Sequence, residues 1–401
     1  MLRFLGRWPL LLPGLVTLAL FLYMTWPGFG GTSDSRNYLW AAHTLRETGQ
    51  LLAPNGTPYR FWGPLYPVLL AVCYSPAAVR VLHGAALLVN LVLWGRIGYW
   101  LLPPGRAAWL PWVMALSAAV LVPAKFIWSE TVFGALAAAY FYALLAWSRN
   151  GQPGWLGLAT AAGLLLPLQR TAGFFLLAGA GAGLLLTGHW RGHGRALLLH
   201  WVGCAVGGLA WSYYAEVVAG PRLYQTPHAW DALGSLADYG YVLARWFVPL
   251  AAAWRPLAPG LWALLLPVLL LVLYPQGGPK PGTADSGRSP QSAAVAQPVR
   301  LLWWVVVLTL GALLLATNAG RAAAGPHNAE RYGAVLVGPV GLLVLMRWPD
   351  TTGAPFWRKA WRWTGRALLA GWLAYSAVRA GHNTQQLRQR EPMAWPEAAS
   401  L

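Results

Sequence analysis

The sequence predicts an all-α, polytopic transmembrane helical bundle, and three observations carry that expectation. Of its 401 residues, 57% are hydrophobic and only 10% are charged, whereas a soluble domain carries about 25% charged residues. Apolar runs approaching the roughly 20 residues that span a bilayer recur along the whole chain. Between them lie short loops rich in Arg, Trp, Gly and Pro, with no internal repeat and no stretch patterned as a soluble domain.

Crossings are predicted near 9–27, 77–102, 107–124, 129–147, 154–168, 171–187, 196–217, 257–274, 301–317, 333–346 and 367–380, about eleven spans in all. The first follows Arg3 and Arg7 and is long for the apolar core of a signal peptide, which predicts an uncleaved first helix. The segment "FWGPLYPVLLAVCY" (61–74) is too short to span and reads as an interfacial or re-entrant piece. The runs 154–168 and 171–187 are also short and are divided by "PLQR", which holds Arg170. "PQGGPKPGTADSGRSPQSAAVAQP" (275–298) reads as a flexible loop. The organisation expected is a transmembrane module over 1–274, a flexible cytoplasmic loop over 275–299 and C-terminal transmembrane helices over 300–401.

The formal net charge of +18 does not point to nucleic acid in such a chain. Arginines in short loops anchor helices against anionic membrane lipids instead. Cys73 and Cys204 both sit in apolar runs, without spacing that suggests a disulfide or metal. His189 and His193 are four apart but lie in a basic loop without an acidic neighbour. No metal site and no cofactor are predicted, and a divalent cation is left open. Basic residues cluster close to helix ends in "HWRGHGR" (189–195) and "WRKAWRWTGR" (357–366), which places the N-terminus on the inner side.

That orientation puts Asp34, Glu130, Arg170, Glu330 and Arg331 at the outer ends of apolar runs. Ionisable groups at membrane depth are costly and mark substrate paths or cavities. Residues 35–48 carry Tyr38, Leu39, Ala41, Ala42 and Leu45 at helical spacing, predicting an interfacial amphipathic helix capped by Asp34 or Ser33. Taken singly, Glu130 reads as a first-turn anion on its helix. Arg170 alone reads as a snorkelling anchor. Arg331 has Glu330 or lipid head groups as its expected partners. Taken together they combine cations suited to a phosphate with a carboxylate able to accept a hydroxyl proton. Beside an apolar groove, that set predicts transfer from a lipid-phosphate donor.

The ordered motifs "SDSRNY" after the first helix, "WGPLYPVLLA" within 49–71, "SETVF" (129–133), "LQRTAG" (168–173) and "ERYGAVLVGPV" (330–340) add a further reading. In this order the chain resembles the GT-C class of integral-membrane glycosyltransferases. The likeness is greatest to the protein O-mannosyltransferase and lipid A aminoarabinose transferase superfamily. The resemblance implies a conserved seven-helix module and a catalytic first outer loop (28–63) with interfacial helices. It also implies a polyprenyl-phosphate sugar donor and a glycan, lipid or protein acceptor, at the periplasmic face of the inner membrane. Asp34 takes the role of base and Glu130 that of an orienting acid. Arg331, with Arg170 a weaker match, would hold the donor phosphate, and Glu330, Tyr332 and Tyr66 complete the expected substrate site. One departure stands out: the O-mannosyltransferases carry two adjacent acids in that loop, and here Ser35 follows Asp34.

Two other classes fit parts of the pattern. A polysaccharide polymerase or ligase acting on lipid-linked sugars would use residues such as Arg222, His228, Asp231, Asp238 and Arg245 in a later outer loop. A transporter or flippase would show inverted repeats and polar groups from both sides.

Overall fold

The computed structural model describes residues 9–60, 62–220, 231–248, 254–275, 290–318, 325–348 and 356–395. Arg222, His228 and residues 276–289 of the predicted flexible loop lie outside the described residues. Within the described residues the chain is helical, with only isolated β-bridges between loop segments.

The first helix, α1, runs Leu11–Thr25. The first loop then forms α2 (Ser33–Thr48), which ends on Gly49 in the left-handed region (φ 73°), and the short α3 (Leu65–Val72). Helix α4 spans Pro76–Leu101 and opens with Ser75 accepting from the Ala78 N–H, with Pro76 in the first turn where its missing N–H costs nothing. The expected crossing 107–124 is broken into α5 (Pro104–Ala107), α6 (Leu110–Leu116) and α7 (Ala118–Ala124), with extended backbone at Ser117 dividing the last two. Next come α8 (Glu130–Asn150), α9 (Pro153–Gln169), α10 (Ala172–Leu186) and α11 (Trp190–Tyr213). The remainder is α12 (Ala232–Phe247), α13 (Pro259–Leu273), α14 (Pro290–Asn318), α15 (Pro326–Gly333), α16 (Val337–Arg347) and α17 (Phe356–Arg388).

One expectation needs correction. Residues 290–299, expected as flexible loop, already belong to α14. Gln, Ala and Val follow Pro290 there, and proline is tolerated in a first helical turn. Among the described residues, six helical stretches are long and apolar enough to cross a membrane, and three further apolar helices are shorter.

Packing sorts the helices by depth. The apolar window of α8 is 72% buried and that of the α11 stretch only 22%. Helix α8 therefore forms the centre, between α4 and α9, while α11 turns Leu198, Leu199, Val202, Val206 and Leu209 outward. An apolar face without protein cover is what lipid contact requires. A second, smaller core of Phe21, Phe29, Tyr38, Tyr59, Tyr66 and Trp128 lies beneath the first loop and joins it to the bundle. Gly63 shows how tightly: a Cβ there would stand 2.0 Å from the Leu168 carbonyl oxygen at the end of α9.

Candidate functional site

The site begins with how the chain leaves α1. Lys125 is fully buried and donates to the Met24 and Gly28 carbonyls, each at 2.8 Å. The Gly30 N–H returns a bond to the Lys125 carbonyl at 3.0 Å, and the Met393 N–H donates to the Phe29 carbonyl at 2.8 Å. Burial, with the charges of Arg80 and Arg388 nearby, lowers Lys125 to about 8. These bonds satisfy carbonyls at the helix end and fix the turn that leads into α2.

Thr32 caps α2. Its backbone is extended (φ −142°, ψ 170°), and its Oγ1 accepts from the Ser35 N–H at 3.1 Å and from Trp128 Nε1 at 2.7 Å. The expected cap, Asp34 or Ser33, is thereby corrected: the helix starts one residue earlier, so both lie inside its first turn. The Asp34 carboxylate is free to bond elsewhere.

It bonds to Arg331, 297 positions away. Arg331 Nη2 donates to Asp34 Oδ2 at 2.7 Å, and Arg331 Nε donates to Glu130 Oε1 at 2.7 Å. Glu130 Oε2 lies 2.6 Å from Arg170 Nη1, which also donates to Ser129 Oγ at 3.1 Å. Ser129 is shared further: its Oγ is 3.0 Å from the Tyr38 hydroxyl, and its carbonyl accepts from Gln169 Nε2 at 3.1 Å. Burial pushes the Tyr38 phenol upward, which keeps its proton in place for this bond. The Arg331 guanidinium lies 4.1 Å from the centre of the Trp128 ring, a cation–π contact. Four elements of the fold thus close one chain of alternating charge, Asp34–Arg331–Glu130–Arg170. With two carboxylates and two guanidiniums it is neutral.

Of the predicted residues, Asp34, Glu130, Arg170 and Arg331 come together, and the Tyr332 ring lies 6.0 Å from Arg170. Arg170 is buried rather than snorkelling, because Glu130 and Ser129 satisfy it inside the bundle. Arg331 does not pair with Glu330. That carboxylate turns toward Arg245 (3.7 Å) and Arg379 (4.0 Å), since neighbours in a helix point about 100° apart. Tyr66 is placed behind the site: it is fully buried, its hydroxyl bonds His83 Nε2 at 2.7 Å, and its ring packs edge-on against Tyr38. It therefore packs behind the ion chain, against Tyr38. His189 is likewise engaged, with Ser148 and Thr187 at 2.8 Å on its two ring nitrogens.

Sequence reasoning missed Thr32, Lys125, Trp128 and Ser129. The last two immediately precede Glu130 in "WSE", so an aromatic beside a helix-starting acid was the available signal. Arg379 was missed as well, and only its position among apolar residues marks it.

No family model matches the chain, and no curated protein matches its sequence. Solved structures do resemble it in fold. ArnT from Cupriavidus metallidurans in the apo state is 14% identical with a TM-score of 0.60, over 94% of this chain and 75% of that one. The same protein bound to undecaprenyl phosphate gives 13% identity and a TM-score of 0.55, over 94% and 72%. The chain therefore shares the fold of ArnT over most of its length.

Proposed function

We propose that this protein is a membrane glycosyltransferase. It moves a sugar from a polyprenyl-phosphate donor to an acceptor hydroxyl on a cell-envelope glycan, lipid or protein, at the extracytoplasmic face of the inner membrane. The observation that carries this reading is the Asp34–Arg331–Glu130–Arg170 chain, set at one end of the bundle with Asp34 and Arg331 as its more exposed members. The capture of undecaprenyl phosphate by ArnT supports a lipid-phosphate donor.

In the reaction, Asp34 takes the proton of the acceptor hydroxyl as its oxygen attacks the anomeric carbon. The bond from that carbon to the phosphate oxygen breaks, and the electron pair leaves with polyprenyl phosphate. Attack opposite the leaving group inverts the configuration. Arg331 holds Asp34 in place and faces the charge that builds on the leaving oxygen. Glu130, itself held by Arg170, positions Arg331.

The test is mass spectrometry of envelope glycans and lipids from cells lacking the protein, complemented with wild type or with Asp34→Asn at equal abundance. Wild type is expected to restore one saccharide modification that Asp34→Asn leaves missing, with the polyprenyl-phosphate sugar accumulating. Full restoration by Asp34→Asn would remove Asp34 as the base.

A further inference from the structure

The neutral network has no cation to spare. A polyprenyl-phosphate sugar is a phosphodiester and carries one negative charge; the departing polyprenyl phosphate carries up to two. Both guanidiniums of the network are already matched by carboxylates. Placing such a donor against it adds an anion to a balanced low-dielectric cluster, which is unfavourable unless a further cation lies within reach.

One does. Glu330 neighbours Arg331 in α15 and faces two arginines, Arg245 of α12 and Arg379 of α17, at 3.7 and 4.0 Å. These contacts are loose beside the 2.6–2.7 Å bonds of the network. Arg379 Nη1 donates to the Arg245 carbonyl at 2.8 Å, which holds the two arginines together. Arg245 Nε and Arg379 Nη2 are buried and without a hydrogen-bond acceptor. Asp238, two turns back on α12, does not compensate them, because Arg255 matches it at 2.6 Å. The cluster therefore has a net charge of +1 and unused donors.

Cavities that share lining residues also lie between the two clusters. Three small cavities follow one another along the break at Ser117. The first touches Glu130, Arg331 and Ala119. The second touches Arg331, Glu330, Ala118 and Ala119. The third touches Ala118, Ser117 and Arg379. The Ser117 hydroxyl is buried there and also lacks a hydrogen-bond partner. Arg245, 28% exposed at its side chain, is the most open member of the cationic cluster.

We infer that Arg245 and Arg379 form the anchor for the donor's phosphate, with Glu330 occupying the anchor until the lipid arrives. This rests on the donor being a lipid phosphate. Guanidiniums bind phosphate oxygens through charge-assisted pairs, and an incoming phosphate displaces the loosely held Glu330. Asp34 stays paired with Arg331, and Arg331 faces the bridging oxygen of the anchored phosphate while Asp34 awaits the acceptor.

The experiment is the affinity of the full-length protein in lipid nanodiscs for undecaprenyl phosphate, with undecaprenol as the uncharged control and phosphatidylglycerol as competitor. Arg245→Gln and Arg379→Gln are each expected to weaken binding about 10-fold or more, a change of the size one charge-assisted contact supplies, with the Lys variants in between. Glu330→Gln is expected to tighten it several-fold, a gain that misfolding cannot imitate. Unchanged affinity in both arginine variants, with loss in Arg331→Gln, would overturn the anchor and leave the glycosyltransferase reading standing. Weaker binding by Glu330→Gln would overturn it too, by showing a purely structural cluster. Equal competition by phosphatidylglycerol would make it a general anionic-lipid site and overturn the assignment. If wild type binds undecaprenyl phosphate no better than undecaprenol, the lipid-phosphate reading fails first and takes the anchor with it.

Discussion

The two halves of the ion chain use the same chemistry in different surroundings. Glu130 and Arg170 meet at 2.6 Å with side chains 4% and 9% exposed; Asp34 and Arg331 meet at 2.7 Å at 19% and 16%. Each pair matches a carboxylate with a guanidinium, so the pairing chemistry does not separate them, and burial does. A dry pair cannot lose one member without stranding the other in a low dielectric, whereas a wetter pair can exchange a partner for water or substrate. The back of the site is thus built to stay closed and the front to open. On the proposed function, that division gives one half to the fold and the other to the reaction.

The largest effect is expected where the comparison is most extreme. Glu130→Gln leaves Arg170 buried without its counter-charge and should cost about 3–5 kcal/mol of stability, read as unfolding in detergent followed by tryptophan fluorescence. Replacing both partners, as Glu130→Leu with Arg170→Met, should recover much of that loss. A Glu130→Gln protein that unfolds like wild type would erase the distinction between the halves. Asp34→Asn is the counterpart at the front. It should lower transfer about 100-fold or more while unfolding within about 1 kcal/mol of wild type. A large stability loss there would make the front as structural as the back.

A third substitution attacks the back without touching a charge. Gly63 lies against Leu168 and Gln169, the residues that deliver Arg170. Gly63→Ala drives its methyl into a backbone carbonyl that cannot rotate away, and overpacking of this kind costs about 1–3 kcal/mol. Stability should fall, and activity should fall with it as Arg170 and Glu130 shift. Wild-type stability in that variant would mean that residues 62–64 move independently of α9.

Much of this was legible in the sequence, for identifiable reasons. Hydrophobic runs located α4 and α8 to within a few residues, because burial along a long apolar helix leaves few alternatives. In a chain this poor in charge, Asp34, Glu130, Arg170 and Arg331 stood out simply by being ionisable at helix ends. Their pairing was not legible. Arg331 has Glu330 beside it in sequence, and nothing local says that its partner lies 297 positions away. Thr32, Ser33 and Asp34 are all good capping residues, so residue type could not choose among them; the bond from Trp128 does. The break at Ser117 was hidden by apolar residues on both sides. Arg245 entered only through an alternative reading, and Arg379 not at all. Both gain their meaning from a neighbour, Glu330, that three-dimensional packing supplies.

Thr32 gives the smallest expected effect and the finest probe of how the front is held. Its hydroxyl accepts from the Ser35 N–H and from Trp128 Nε1, so one oxygen ties the start of α2 to the ring beneath Arg331. Thr32→Ala removes the cap, at about 1 kcal/mol, and strands the Trp128 N–H. The ring is then free to tilt, and Arg331 loses part of its cation–π support, itself about 1 kcal/mol. Thr32→Ser keeps the acceptor and should behave as wild type in both stability and transfer. If Thr32 only capped the helix, Trp128→Phe, which keeps a ring but has no N–H, would leave transfer unchanged. The geometry predicts instead that Thr32→Ala and Trp128→Phe each reduce transfer several-fold, and that combining them adds little. That non-additivity is the signature of a single shared bond. Fully additive losses would show that the cap and the aromatic platform act on Asp34 and Arg331 separately.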